Sequence, residues 1–300
     1  MKTPSRDIRL KYTEVFIKNI LLFCAVLSIF TTIAIVLSLS FNAIEFFKEV
    51  SVFEFLFGTE WTPLFMNPKY GVLPLISGTL IVTVGAAIIA IPIGLFSAIY
   101  LSEYAPKTIR KILKPFLEIL AGIPSIVYGF FALTYITPLL QKLIPRTEIY
   151  NAASASIAVG IMIMPIVASL SEDAMMSVPN ALRHGGYALG ATKFEVVKGI
   201  VIPSALSGIV ASFVLAVSRA IGETMIVVLA AGARPNLTLN PLESVQTLTA
   251  FIVQASKGDL QHGTRSYYAL YAVGMVLFII TFGMNIFSRY IVRRREVAMK

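Results

Sequence analysis

Two opposite charges, Arg219 and Glu223, lie inside the apolar run ASFVLAVSRAIGETMIVVLAA. If residues 205–231 form one helix with a rise of ~1.5 Å per residue, Arg219 sits about 21 Å from Ala205 and Glu223 about 6 Å further along. A charge at the centre of a bilayer costs on the order of 2.5 to 3.5 kcal/mol, so neither side chain is expected to face lipid. Four residues apart, the two would share one helix face. Two readings stand. Either they form an ion pair that neutralises itself and locks helices together, or Arg219 offers a planar, permanently charged fork to a small oxyanion. In the second reading Glu223 balances the arginine while the route is empty and accepts a hydrogen bond from a protonated oxyanion when it is full. Phosphate retains a proton near neutral pH and meets that requirement. Sulfate does not, and would bring like charges together.

A second stretch, residues 179–203, is polar and lies between two long apolar runs. Pro179 suits the first turn of a helix, where its missing N–H costs nothing. Gly190 suits a left-handed helix end. A compact helix-turn-helix should follow, with Arg183, Lys193, Glu195 and Lys198 exposed. Such a segment either rests on lipid headgroups as an amphipathic loop or presents a docking surface. From His184-Gly185-Gly186, three residues lead to Gly190, nine more to Ile200, and one more to Ile202-Pro203. This spacing resembles the cytoplasmic loop of ABC importer permeases, in which Glu-Ala-Ala, Gly, Ile and Leu-Pro follow at the same intervals. The resemblance implies that the loop docks into a groove on an ATPase subunit. His-Gly-Gly stands where Glu-Ala-Ala is usual.

The elements that must position these residues are membrane helices. The 300 residues are 57% hydrophobic and 14% charged, against about 25% charged in soluble domains. A net charge of +9 is concentrated in the chain ends and one short loop, without the aromatic-basic interleaving that would suggest nucleic acid. It suits the cytoplasmic leaflet instead. Cys24 lies alone in the first apolar run, so no intrachain disulfide forms. His184 and His262 are far apart and suggest no metal site, and no cofactor is expected. The polar amino-terminal stretch lacks a small-residue cleavage site, which makes the first run a retained anchor.

Six runs are long enough to cross a bilayer, which takes about 20 apolar residues: roughly 17–41, 74–101, 116–140, 152–170, 205–231 and 267–291. The fold class is therefore all-α and polytopic. Lysine and arginine cluster before the first run, at Lys107, Arg110, Lys111 and Lys114, and at Arg289, Arg293, Arg294, Arg295 and Lys300. The positive-inside rule places these clusters in the cytoplasm. The division is then a cytoplasmic tail over 1–16, a transmembrane domain over 17–292 containing the loop 179–203, and a basic cytoplasmic tail over 293–300. Residues 42–73 lie outside and contain FEFLFGTEWTPLF, read as an interfacial aromatic belt or as a surface for a docking partner. Pro92, Pro124 and Pro165 interrupt the second to fourth runs, where they bend helices or permit close packing. No internal repeat is evident, which weakens an inverted-repeat carrier.

The runs SRAIGETM (218–225), AIYLSEYAP (98–106), AGIPSIVYGFFAL (121–133) and GTEWTPLF (58–65) together resemble the PstC permease subunits of phosphate ABC transporters, and the likeness covers nearly the whole chain. The resemblance implies a type I ABC importer permease fold and phosphate passage at Arg219 and Glu223. It also implies a PstA-like second permease, two PstB-like ATPase subunits and a PstS-like phosphate-binding protein outside. The chain has no G-x-x-x-x-G-K-[ST] run, so it is expected not to be an enzyme, with ATP hydrolysed by a partner. The alternatives are a permease for sulfate or molybdate, an ion-coupled secondary anion carrier, and a non-transporting scaffold.

Overall fold

The computed structural model describes residues 4–258 and 261–298, with the side chains of 4–13, 288 and 291–298 left aside. The basic-tail assignments at Lys2 and Lys300 fall outside the described residues, as do the side chains of Arg6, Arg9, Lys11 and Arg293 to Arg295. Thirteen α-helices follow in order among the described residues. They are α1 (Pro4–Glu49), α2 (Val52–Phe57), α3 (Leu73–Ile99), α4 (Lys107–Ala121), α5 (Ser125–Phe131), α6 (Thr137–Leu143), α7 (Ala152–Met176), α8 (Asn180–Ala188), α9 (Lys193–Val196), α10 (Ile202–Ile221), α11 (Met225–Ala230), α12 (Leu248–Lys257) and α13 (Arg265–Ala298). Six continuous helical stretches among them are long and apolar enough to cross a membrane, as the composition demands.

Three single wide turns, Tyr100–Tyr104, Ala132–Ile136 and Val197–Val201, extend α3, precede α6 and precede α10. Each stands two residues before a proline, at Pro106, Pro138 and Pro203. At Pro138 and Pro203, where the helix continues, proline removes one ladder donor and its ring crowds the carbonyl four residues back, which favours widening of the preceding turn; at Ala105 and Pro106 the chain is already extended and the helix simply ends. Pro92 and Pro165, in contrast, lie inside unbroken helices.

The central seam joins α3 to α7. Small residues set its spacing: a Cβ on Gly94 would come within 2.7 Å of Val167, and one on Gly160 within 3.2 Å of the Ala86 carbonyl. Without water to drive association, membrane helices gain from this close backbone approach. Ala86, Ala90, Ala155, Val159 and Ile163 are fully buried there. The small-residue cluster 154–160 is thus a packing surface.

Two sequence expectations change. The third crossing does not begin at residue 116. The chain breaks at Gly122–Pro124, so α4 stands apart and the crossing runs Ser125–Leu143. The outer aromatic stretch is also only partly a belt. Phe53 and Phe65 are exposed, but Phe55 and Trp61 are buried with Phe46, Tyr70 and Phe251 in a second core. Trp61 meets Phe251 edge-on at 4.8 Å, a geometry aromatic rings favour. The most apolar stretch of α1 has no buried residue within the chain; the helix packs on α13 and leaves its apolar flank outward.

Candidate translocation site and docking loop

Helix α10 carries Arg219 to its last turn, where a cation complements the helix dipole. The guanidinium is exposed and makes no hydrogen bond or ion pair to the described residues. Glu223 is not on the same helix. The expected single helix over 205–231 ends at Ile221, Gly222 caps it, and α11 starts afresh at Met225. The carboxylate of Glu223 is 8% exposed, and its Oε1 accepts from the backbone N–H groups of Met225 at 3.0 Å and Ile226 at 3.2 Å. The shared face and the self-neutralising pair are thereby corrected. The first amides of a helix have no internal acceptor, and an oxygen just upstream supplies one. The Gly-Glu-Thr run was the signal in the sequence, a helix stop followed by capping residues.

Glu223 is fixed from the other side as well. Its carbonyl accepts from Thr249 Oγ1 at 2.6 Å. Thr249 belongs to α12, whose amino end is capped by Thr247 and held to α3 by a hydrogen bond from Leu248 N to Thr79 Oγ1 at 3.0 Å. Between the fifth and sixth crossings the chain therefore folds back and places α12 against the break.

The loop 179–203 folds as a helix-turn-helix. Pro179 stands one residue before α8, a step earlier than expected. Gly190 adopts φ +80°, the left-handed conformation that glycine reaches without strain. Thr192 and Glu195 form a reciprocal capping box at the start of α9, legible in the sequence as T-x-x-E. Gly186 is buried, and a Cβ there would fall 2.6 Å from Ile200 Cδ1, so two of the spaced residues touch. His184, Gly185 and Gly190 face outward, Ile200 and Ile202 are half-buried, and Pro203 is exposed. Leu189 and Phe194 also project, 90% and 64% exposed.

Arg183 does not point outward as expected. It donates to Glu103 Oε1 through Nη2 at 2.9 Å and Nε at 3.2 Å, and to the carbonyls of Met175 and Val178. It thereby ties the loop to the ends of α3 and α7. Sequence reading also missed Glu172. This carboxylate is fully buried at the same end of α7, where it meets Arg110 and Lys114 of α4, while Asp173 shares Lys114. Burial alone would lower the Lys114 pKa, but hydrogen bonds to Asp173 and Glu172 and their charges carry it above 10.5.

A six-span helical bundle with a structured loop between its fourth and fifth crossings, and an arginine beside a helix break that is unpaired among the described residues, is an arrangement that suits a membrane permease subunit. The chain belongs to the family described as binding-protein-dependent transport system inner membrane component, which matches residues 90–297. It is thus a multi-pass inner-membrane subunit of an ABC importer, a family that works with an ATPase and a substrate-binding protein. It is 36% identical to the "Probable ABC transporter permease protein YqgH" of Bacillus subtilis (strain 168), over 91% of this chain and 89% of that one. It is 32% identical to the phosphate transport system permease protein PstC of Xylella fastidiosa (strain 9a5c), over 97% of this chain and 94% of that one. The crystal structure of a bacterial alginate ABC transporter, in complex with a periplasmic protein bound to alginate pentasaccharide, contains a chain that shares the fold. The TM-score is 0.66 at 15% identity, with 98% of each chain covered.

Proposed function

We propose that this chain is the PstC-like permease subunit of an ATP-driven phosphate importer. It would pair with a PstA-like permease, receive phosphate from a PstS-like binding protein outside, and be driven by two PstB-like ATPase subunits inside. Both termini and the loop 179–203 lie in the cytoplasm. The observation that carries the reading is Arg219: a permanently charged side chain at the end of a membrane helix, exposed and unneutralised among the described residues, in a permease similar to PstC proteins.

Arg219 offers its guanidinium fork to the anion, and the second permease closes the other side of the route. Glu223 serves in two ways. Oε1 holds the amino end of α11, and Oε2, which has no hydrogen bond to the described residues, accepts a hydrogen bond from the P–OH of hydrogen phosphate. Sulfate lacks that proton. His184, Gly185, Gly186, Gly190, Ile200, Ile202 and Pro203 form the docking loop, with Leu189 and Phe194 as its apolar contacts, and ATP-driven closure of the motor subunits is transmitted through it. Chemical bond breaking takes place in the ATPase.

The test is phosphate uptake by proteoliposomes containing the complex purified with this chain. Uptake should require ATP and the binding protein. Glu223→Gln should slow phosphate entry and narrow its advantage over sulfate. Unchanged rate and selectivity would remove Glu223 from the site, and uptake by this chain alone would replace the importer with a carrier.

A further inference from the structure

Helix α4 connects the second and third crossings and has no buried residue. Its polar and apolar residues segregate fully. Lys107, Arg110, Lys111 and Lys114 recur at i, i+3, i+4 and i+7, on one face, and Ile109, Ile112, Leu113 and Phe116 occupy the opposite face with the same spacing. Two of the cations are committed to the chain itself, Arg110 and Lys114 being held by Glu172 and Asp173 of α7. These contacts fix the rotation of α4, so its apolar face cannot roll onto the protein core. Ile112, Phe116 and Ile119 stay 66%, 56% and 67% exposed.

Lys107 and Lys111 are exposed and have no ion pair among the described residues. The basic face borders a groove of about 470 Å³ lined by the four cations, Pro115 and Glu118. The shared ligand chemistry of such a groove is a phosphate group, free or esterified. An apolar face on the same helix, turned away from the protein, favours the esterified form with acyl chains beside it.

We propose that α4 lies in the membrane–water interface and that Lys107 and Lys111 hold the headgroup of an anionic phospholipid. The lipid pins the inner end of the bundle where α4 is latched to α7, next to the docking loop. This site concerns the bilayer and does not depend on which anion the permease carries.

The purified complex, examined by native mass spectrometry after exchange into mixed phosphatidylglycerol and phosphatidylcholine, should retain phosphatidylglycerol preferentially. Each lysine near an anionic surface is worth roughly fivefold in affinity, so Lys107→Gln with Lys111→Gln should weaken retention about 25-fold. Lys142→Gln, on the opposite side of the bundle, should leave it unchanged. A spin label at Ile119→Cys should be relaxed by oxygen dissolved in the acyl layer. Equal retention of both lipids, retention indifferent to the two lysines, or displacement of phosphatidylglycerol by excess inorganic phosphate would overturn the proposal. So would a label at residue 119 that meets water or crosslinks to another subunit. Both lysines are exposed, so the variants keep the fold, and lipid retention is read without any transport assay.

Discussion

Arg183 and Arg219 are the same side chain put to opposite uses. Arg183, at the end of the bundle that carries the loop 179–203, has its side chain 12% exposed and is saturated by Glu103 and two backbone carbonyls. Arg219 is exposed and has no acceptor among the described residues. The difference lies in what each helix end offers. At the end of α7 the carbonyls of Met175 and Val178 accept from Arg183, and Glu103 closes the cage. Just past the end of α10, Glu223 is turned toward the amides of α11. A cation whose acceptors are all supplied builds structure, whereas one whose acceptors are withheld stays available for a ligand.

That contrast is best broken at its structural member. Replacing one partner of a buried, hydrogen-bonded ion pair costs about 3 to 5 kcal/mol, so Arg183→Gln should lower the melting temperature of the purified complex markedly. Glu103→Gln combined with Arg183→Gln should recover part of the loss, since no uncompensated charge is left. A melting curve unmoved by Arg183→Gln would dissolve the distinction. Arg219→Gln should do the reverse, leaving the melting curve in place and reducing phosphate uptake on the order of tenfold to a hundredfold, the worth of a charge-assisted hydrogen bond at roughly 1.5 to 3 kcal/mol. Destabilisation without a transport defect would make Arg219 a second structural arginine.

The latch between α4 and α7 gives a milder test by pH. Lys114 has its pKa raised, so its stabilising link to Glu172 and Asp173 is complete below 10.5 and fades only as pH climbs through the higher folded value. Thermal stability at neutral and mildly alkaline pH should therefore be the same in this respect. Lys114→Gln should flatten the alkaline limb, and an identical limb in that variant would refute the link.

The smallest effect concerns neighbouring glycines in the loop 179–203. Gly185 has open space where a Cβ would go, so Gly185→Ala should stabilise α8 by roughly 0.5 to 1 kcal/mol. Gly186→Ala meets Ile200 Cδ1 at 2.6 Å and Val196 Cγ2 at 3.0 Å, and that gain should be cancelled. Equal stability changes in the two variants would show that the Gly186–Ile200 contact sets nothing.

Hydropathy alone found six crossings, because crossing a bilayer requires about 20 apolar residues whatever their neighbours are, but it misplaced the third, which begins at Ser125, and the fifth, which runs Lys193–Ile221. Glycine at 190 announced its left-handed turn, since few other residues adopt that conformation freely. Spacing also brought out the loop 179–203, whose Gly186 and Ile200 prove to touch. The break after Ile221 was hidden from hydropathy, although Gly222-Glu223-Thr224 marked it. Seven apolar residues follow Thr224 without interruption, and hydropathy cannot distinguish one helix from two in line. Glu172 was hidden for a related reason: a carboxylate near a helix end reads as solvated until the partners that bury it are known.

What sequence by itself determined is the class of molecule, because the solvent it must live in is written into composition and run length. Only tertiary structure decided which charges are consumed and which are left over. A side chain's acceptors come from segments distant in the chain, as Arg183 and Glu103 are 80 residues apart, and no local pattern records their meeting.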